Sequence, residues 1–183
     1  MAKVLVPLAQ GCEELEAVTI VDLLRRAGIE VVTAGLDQQT VTASRGVKLV
    51  PDTDLDTALA HKNFDMIVLP GGLPGADHLD HDPRIRELVQ MMAASGKYTA
   101  AICAAPKALA NAGVLEGKRA TAYPGVLDNM SLKHPAVSNE AVVRDGCVIT
   151  SRGPGTAMDF ALTLIEALLG EHKRNEIETG LAR

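Results

Sequence analysis

The chain has 183 residues, a formal net charge of −5, and 47% apolar residues with only 2% aromatic. A chain of this length can bury roughly 70% of its unfolded surface in one core, here built from Val, Leu, Ile, Ala and Met. The basic residues form no stripe that could track a phosphate backbone, which excludes nucleic acid as an expected partner. No apolar run reaches the ~20 residues of a membrane span, and three cysteines without CxxC spacing exclude a disulfide framework or a zinc cluster. A cytoplasmic location is expected, because Met1 leads directly into the strand-like Lys3–Leu8 with no room for a signal peptide.

Taken in chain order, short apolar runs alternate with segments of helical period, the pattern of βα units stacking into a mostly parallel sheet with helices on both faces. Lys3–Leu8 is the first expected strand, followed by a helix over Glu13–Ala27 and a second strand over Glu30–Gly35. Gln38–Pro51 is more polar, and its pieces Thr40–Ala43 and Val47–Val50, split by Ser44-Arg45-Gly46, read as a small inserted hairpin. Further strands are expected over Met66–Leu69, Thr99–Ile102, Ala120–Ala122 and Val148–Thr150. The intervening helices are expected over Arg84–Ser95, Pro106–Ala112 and Thr156–Leu169, the last opened by a Thr156/Asp159 capping box, with a short terminal helix over Glu171–Thr179. Nothing resembling a linker or a repeat divides residues 1–183, so one domain is expected.

In such sheets ligands sit at the carboxyl ends of the strands. Cys103 follows one of them in Ala101-Ile102-Cys103-Ala104-Ala105-Pro106. Small residues two positions to either side allow a sharp strand-to-helix elbow, and Pro106 suits a first helical turn. A thiol there would face helix amides that favour thiolate, although an ordinary buried cysteine is the plainer alternative. Glu16 falls on the apolar stripe of its helix with Ile20, Leu23, Leu24 and Ala27. It is either a buried, protonated carboxyl or a first-turn acid serving the helix dipole like Glu13 and Glu14. Gly71-Gly72 would let backbone amides approach an anion, or would be a plain turn. The run Asp77-His78-Leu79-Asp80-His81-Asp82 has ligand-like spacing, but a solvated helix entry is preferred and no metal is expected. Cys12 and Cys147 are expected to be structural or incidental.

Taken together, Glu13-Glu14-Leu15-Glu16, Leu69-Pro70-Gly71-Gly72, Ala101-Ile102-Cys103-Ala104 and Thr150-Ser151-Arg152-Gly153-Pro154-Gly155-Thr156 resemble the ThiJ/PfpI superfamily, in particular its Parkinson-associated deglycase branch, from about Val4 to Leu169. The resemblance implies a flavodoxin-like sandwich, a homodimer, and an oxidation-sensitive elbow cysteine. It casts Cys103 as nucleophile, Glu16 as its protonated partner, and the amides of Gly72 and Ala104 as anion-holding donors. Arg45 matches an arginine near the site mouth and Arg26 one near the dimer contact; with Gly71 and Pro154 they are the expected substrate-binding positions. The implied activity is glyoxalase or deglycase chemistry on methylglyoxal, glyoxal or their early adducts on proteins and nucleotides, with no cofactor. The alternative is a redox-sensing stress protein or chaperone controlled by oxidation of Cys103 to sulfinate. Tyr123 stands where best-known branch members carry histidine, which puts proton transfer by His out of reach. Ala104 stands where the peptidase-like branch has histidine, which disfavours a protease.

Overall fold

The computed structural model describes residues 1–60, 63–128, 130 and 136–183. The elements in chain order are β1 (Lys3–Leu8), α1 (Glu14–Arg26), β2 (Glu30–Gly35), β3 (Val41–Thr42), β4 (Lys48–Leu49), β5 (Thr53–Asp54), α2 (Leu55–Ala60), β6 (Met66–Leu69), α3 (Gly75–His81), α4 (Pro83–Ala94), β7 (Tyr98–Ile102), α5 (Pro106–Asn111), β8 (Arg119–Ala120), β9 (Ala136–Val137), β10 (Val142–Asp145), β11 (Val148–Ser151), α6 (Ala157–Leu169) and α7 (Glu171–Gly180). A seven-stranded sheet runs β10-β11-β7-β6-β1-β2-β5, parallel throughout except for the antiparallel β10–β11 edge.

The central strands are apolar end to end because both their faces are covered. Val4, Val6 and Ile102 face α1 and α6, packing with Ile20, Leu24, Phe160 and Leu164. Leu5, Ile67 and Leu69 face the other layer, with Leu55, Leu79, Ile85, Met92 and Leu109. The expected α/β sandwich with helices on both faces is thus the observed architecture, and the inserted hairpin is present as the separate β3–β4 pair. No helix among the described residues is long and apolar enough to cross a membrane.

Three local expectations are corrected. The strand expected at Ala120–Ala122 is β8, which pairs with β9 outside the main sheet, and the Thr121 amide donates to the Thr150 hydroxyl at 2.9 Å in place of a ladder bond. Thr156 does not cap α6 through Asp159; its hydroxyl instead binds Gly153 and lies 2.7 Å from Ser151 Oγ, tying down a one-turn 3₁₀ segment at Pro154–Thr156. Of the Asp77–Asp82 run, Asp77–His81 lies inside α3 with Leu79 and Asp80 buried, and only Asp82 is the helix entry expected before Pro83, capping α4 by accepting from the Arg84 amide at 2.9 Å.

Candidate active site

The carboxyl ends of β1, β6, β7 and β11 converge on Cys103. Its backbone adopts φ 64°, a left-handed conformation that costs a residue with a Cβ roughly 1–3 kcal/mol. Two hydrogen bonds hold it there: the Cys103 amide donates to the Ser151 carbonyl at 3.0 Å, and its own carbonyl accepts from the Tyr123 amide at 2.8 Å. The elbow expected from the small neighbours is therefore present, and Cys103 as a residue retains 9% exposure.

Glu16 is fully buried on the core face of α1. Its Oε2 accepts from the Gly71 amide at 2.8 Å, while Oε1 has no hydrogen-bond partner among the described residues. The two glycines let these groups meet. A side chain at Gly71 would begin 2.6 Å from Cys103 Cβ and 2.7 Å from Glu16 Oε2. At Gly72, φ 86°, it would begin 2.4 Å from the Glu13 nitrogen. With neither Cβ in the way, the amides of Gly72 and Ala104 both bear on the Cys103 sulfur.

Burial pushes the Glu16 carboxyl up to about 7, against the Gly71 amide that pulls it down. Burial also pushes the Cys103 thiol up to about 12, reinforced by charge on Glu16 and opposed by the Gly72 and Ala104 amides. The amides expected to favour thiolate do pull in that direction, but burial and the facing Glu16 outweigh them. The two groups titrate as a pair that loses its first proton near neutrality and holds the second strongly.

The remaining expected positions scatter. Pro154 lines a cavity of about 320 Å³ beside the elbow, with Tyr123 and Arg152. Arg45 lies on the exposed hairpin turn. Arg26 pairs with Asp22 near the far end of α1, about 15 Å along the helix from Glu16, so one chain does not bring it to the thiol. Cys12 is fully buried. Glu14, grouped by sequence with the dipole acids, is instead an anchor: it accepts from Arg45 N at 2.9 Å and Ser44 Oγ at 3.0 Å, fixing the hairpin turn to the start of α1. Nothing in a run of acids at a helix start distinguishes that role. Asp77 pairs with Lys107, Asp80 accepts from Asn111 at 2.8 Å and Asp82 pairs with Arg84 at 2.6 Å, so all three acids of the ligand-like run bind neighbouring side chains.

A model of the DJ-1/PfpI family matches residues 2–167. Protein dj-1beta of Drosophila melanogaster is 44% identical over 97% of this chain and 95% of its own, and its crystal structure superposes with a TM-score of 0.93 over 99% and 97% of the two chains. A Caenorhabditis elegans protein named glutathione-independent glyoxalase DJR-1.2 is 38% identical over 96% of this chain and 92% of its own. The structure of oxidised Toxoplasma gondii DJ-1 matches with a TM-score of 0.93 at 39% identity, over all of this chain and 98% of that one. With its fold, motif order and elbow in agreement, the chain belongs to the DJ-1/PfpI family.

Proposed function

We propose that the chain is a glyoxalase or deglycase in which Cys103 attacks methylglyoxal, glyoxal or their early adducts on proteins and nucleotides. The observation that carries this is a strained thiol facing two backbone amides and one buried carboxyl. At rest the pair's single negative charge lies on Glu16; in the reactive state the Cys103 proton passes to that carboxylate, and the Gly72 and Ala104 amides offset part of the cost of placing the charge on buried sulfur. Thiolate adds to the aldehyde carbon, and the displaced π electrons become an alkoxide that takes the Glu16 proton, giving a hemithioacetal. The Glu16 carboxylate then removes the former aldehyde proton and returns a proton at the neighbouring carbon. The resulting thioester is hydrolysed by water to a hydroxy acid and free thiol. The aldehyde carbon is oxidised and the adjacent carbonyl reduced, so no external oxidant is needed. Glu16 thereby takes the work that histidine at position 123 would do. Replacing Cys103 by Ser is expected to abolish methylglyoxal consumption by the purified protein; undiminished turnover would refute the assignment.

A second reading, a redox-sensing stress protein or chaperone, is favoured by the oxidised state of the Toxoplasma relative. The donors that stabilise a thiolate would also hold a Cys103 sulfinate. We further infer a cytoplasmic homodimer acting through one domain per chain. The dimer is supported by an apolar groove of about 290 Å³ between α1 and the β3–β4 hairpin, with Val18 and Val50 among its lining.

A further inference from the structure

A cavity of about 580 Å³ lies at the opposite end of the sheet from Cys103, where β7 and β11 begin. Gln90, Lys97, Thr99, Val114, Lys118 and Cys147 are among its lining, which among the described residues contains two lysines and no acid, with Asp145 just outside it. Thr99 is completely buried, its amide donates to the Cys147 carbonyl at 2.9 Å, and its hydroxyl has no partner among the described residues. A buried hydroxyl without a hydrogen bond costs roughly 1–3 kcal/mol, a penalty that a polar ligand removes if seating it shifts the wall that now covers Thr99. Cys147 Sγ donates to the Gly96 carbonyl at 3.2 Å, and it is the one partly exposed thiol of the three, Cys12 and Cys103 being buried. Lys118 Nζ sits beside Gly146, shared with Asp145 at 3.4 Å, and Lys97 Nζ donates to the Phe64 carbonyl.

We propose that Cys147 is a second thiol site, separate from the Cys103 centre, that takes small carboxylate-bearing disulfides of the glutathione class. The observations meet in one place: a thiol with access, a volume within the range of small-molecule pockets, an orphaned hydroxyl, and two cations to receive carboxylates. Exchange needs the attacking sulfur in line with both sulfurs of the disulfide. Cys103 packs against Gly71 and Glu16 and is only 9% exposed, whereas Cys147 lines the cavity. The Cys147 thiolate forms a bond to one disulfide sulfur, the original S–S bond breaks, and the other half leaves as thiolate and takes a proton from water. Cys147 is oxidised as the incoming disulfide is reduced, so the electrons balance.

The test treats the reduced full-length chain with oxidised glutathione or with neutral hydroxyethyl disulfide, follows intact mass, and locates the first adduct by peptide mapping. Rates are normalised to those of free N-acetylcysteine. The first adduct is expected on Cys147, with a normalised rate for glutathione disulfide at least about threefold above the neutral reagent. Half-molar salt or Lys118→Gln should erase that preference, and Thr99→Val should lower adduct occupancy at equilibrium roughly threefold. A first adduct on Cys103 or Cys12 would overturn the proposal, as would equal normalised rates that salt leaves unchanged in the unmodified protein, a readout that does not depend on any variant folding.

Discussion

A carboxyl group with no exposure to solvent sits beside a thiol, and the cost of that arrangement is measurable. Between 4.5 and about 7 the folded chain keeps a proton on Glu16 that the unfolded chain has lost. Its contribution is therefore fully favourable below 4.5 and is lost as pH rises through that window, amounting to about 3 kcal/mol by pH 8. Glu16→Gln keeps an acceptor for the Gly71 amide and cannot ionise. Denaturant unfolding at pH 5 and pH 8 should show the variant gaining stability relative to the parent across that interval, by roughly that amount. Parallel profiles would mean that Glu16 does not titrate in this range. The same substitution is expected to lower methylglyoxal turnover at least about 100-fold, because Gln cannot supply the proton that the proposed mechanism draws from Glu16. Stability gained with activity lost would mark Glu16 as a group kept for chemistry.

At the scale of elements, the loop after β6 holds the site through backbone alone. A methyl at Gly72 would meet Glu13 and Cys12 backbone at 2.4 and 2.7 Å, and φ 86° adds strain of its own. Gly72→Ala should therefore cost roughly 2–4 kcal/mol in chemical denaturation and move an amide away from the sulfur, with activity falling further than in a core variant of equal instability. Stability within about 1 kcal/mol of the parent would show that the loop yields. The meeting of Gly71, Gly72, Cys103 and Glu16 is legible in sequence because each carries a local sign: a glycine pair after an apolar run, alanines around a cysteine, an acid on an apolar stripe. The edges are less so. β10 (Val142–Asp145) is four residues with two charges, too short to display a period, although the two-residue Gly146-Cys147 turn that joins it to β11 opens with a glycine, a hairpin signal. β5 and α2 are shorter than the window over which periodicity is defined. The thiol's proton affinity is not legible because burial and a facing charge depend on packing, which the spacing of small residues does not encode.

For the whole molecule, the surface that remains unexplained by one chain is apolar and continuous with the elements that build the site. Val50 is 80% exposed, Leu15 51% and Val18 50%, on α1 and next to β4. Monomeric proteins seldom leave such residues clustered, and α1 is also the helix that carries Glu16 on its opposite face. A second copy seated on this surface would bury Val18 and Val50 and press α1 onto the sheet, linking assembly to the position of the carboxyl. The double variant Val18→Lys, Val50→Asp places charges on that face without entering the core. Sedimentation at micromolar concentration is expected to give a dimer for the parent and a monomer for the variant, whose far-ultraviolet circular dichroism is unchanged. The variant's methylglyoxal turnover should drop several-fold, since α1 loses its outer support while Cys103 and its amide donors stay in place. A parent that sediments as a monomer would remove the dimer from the proposal and leave the groove without an occupant. A variant that remains a dimer would place the contact on another face of the fold.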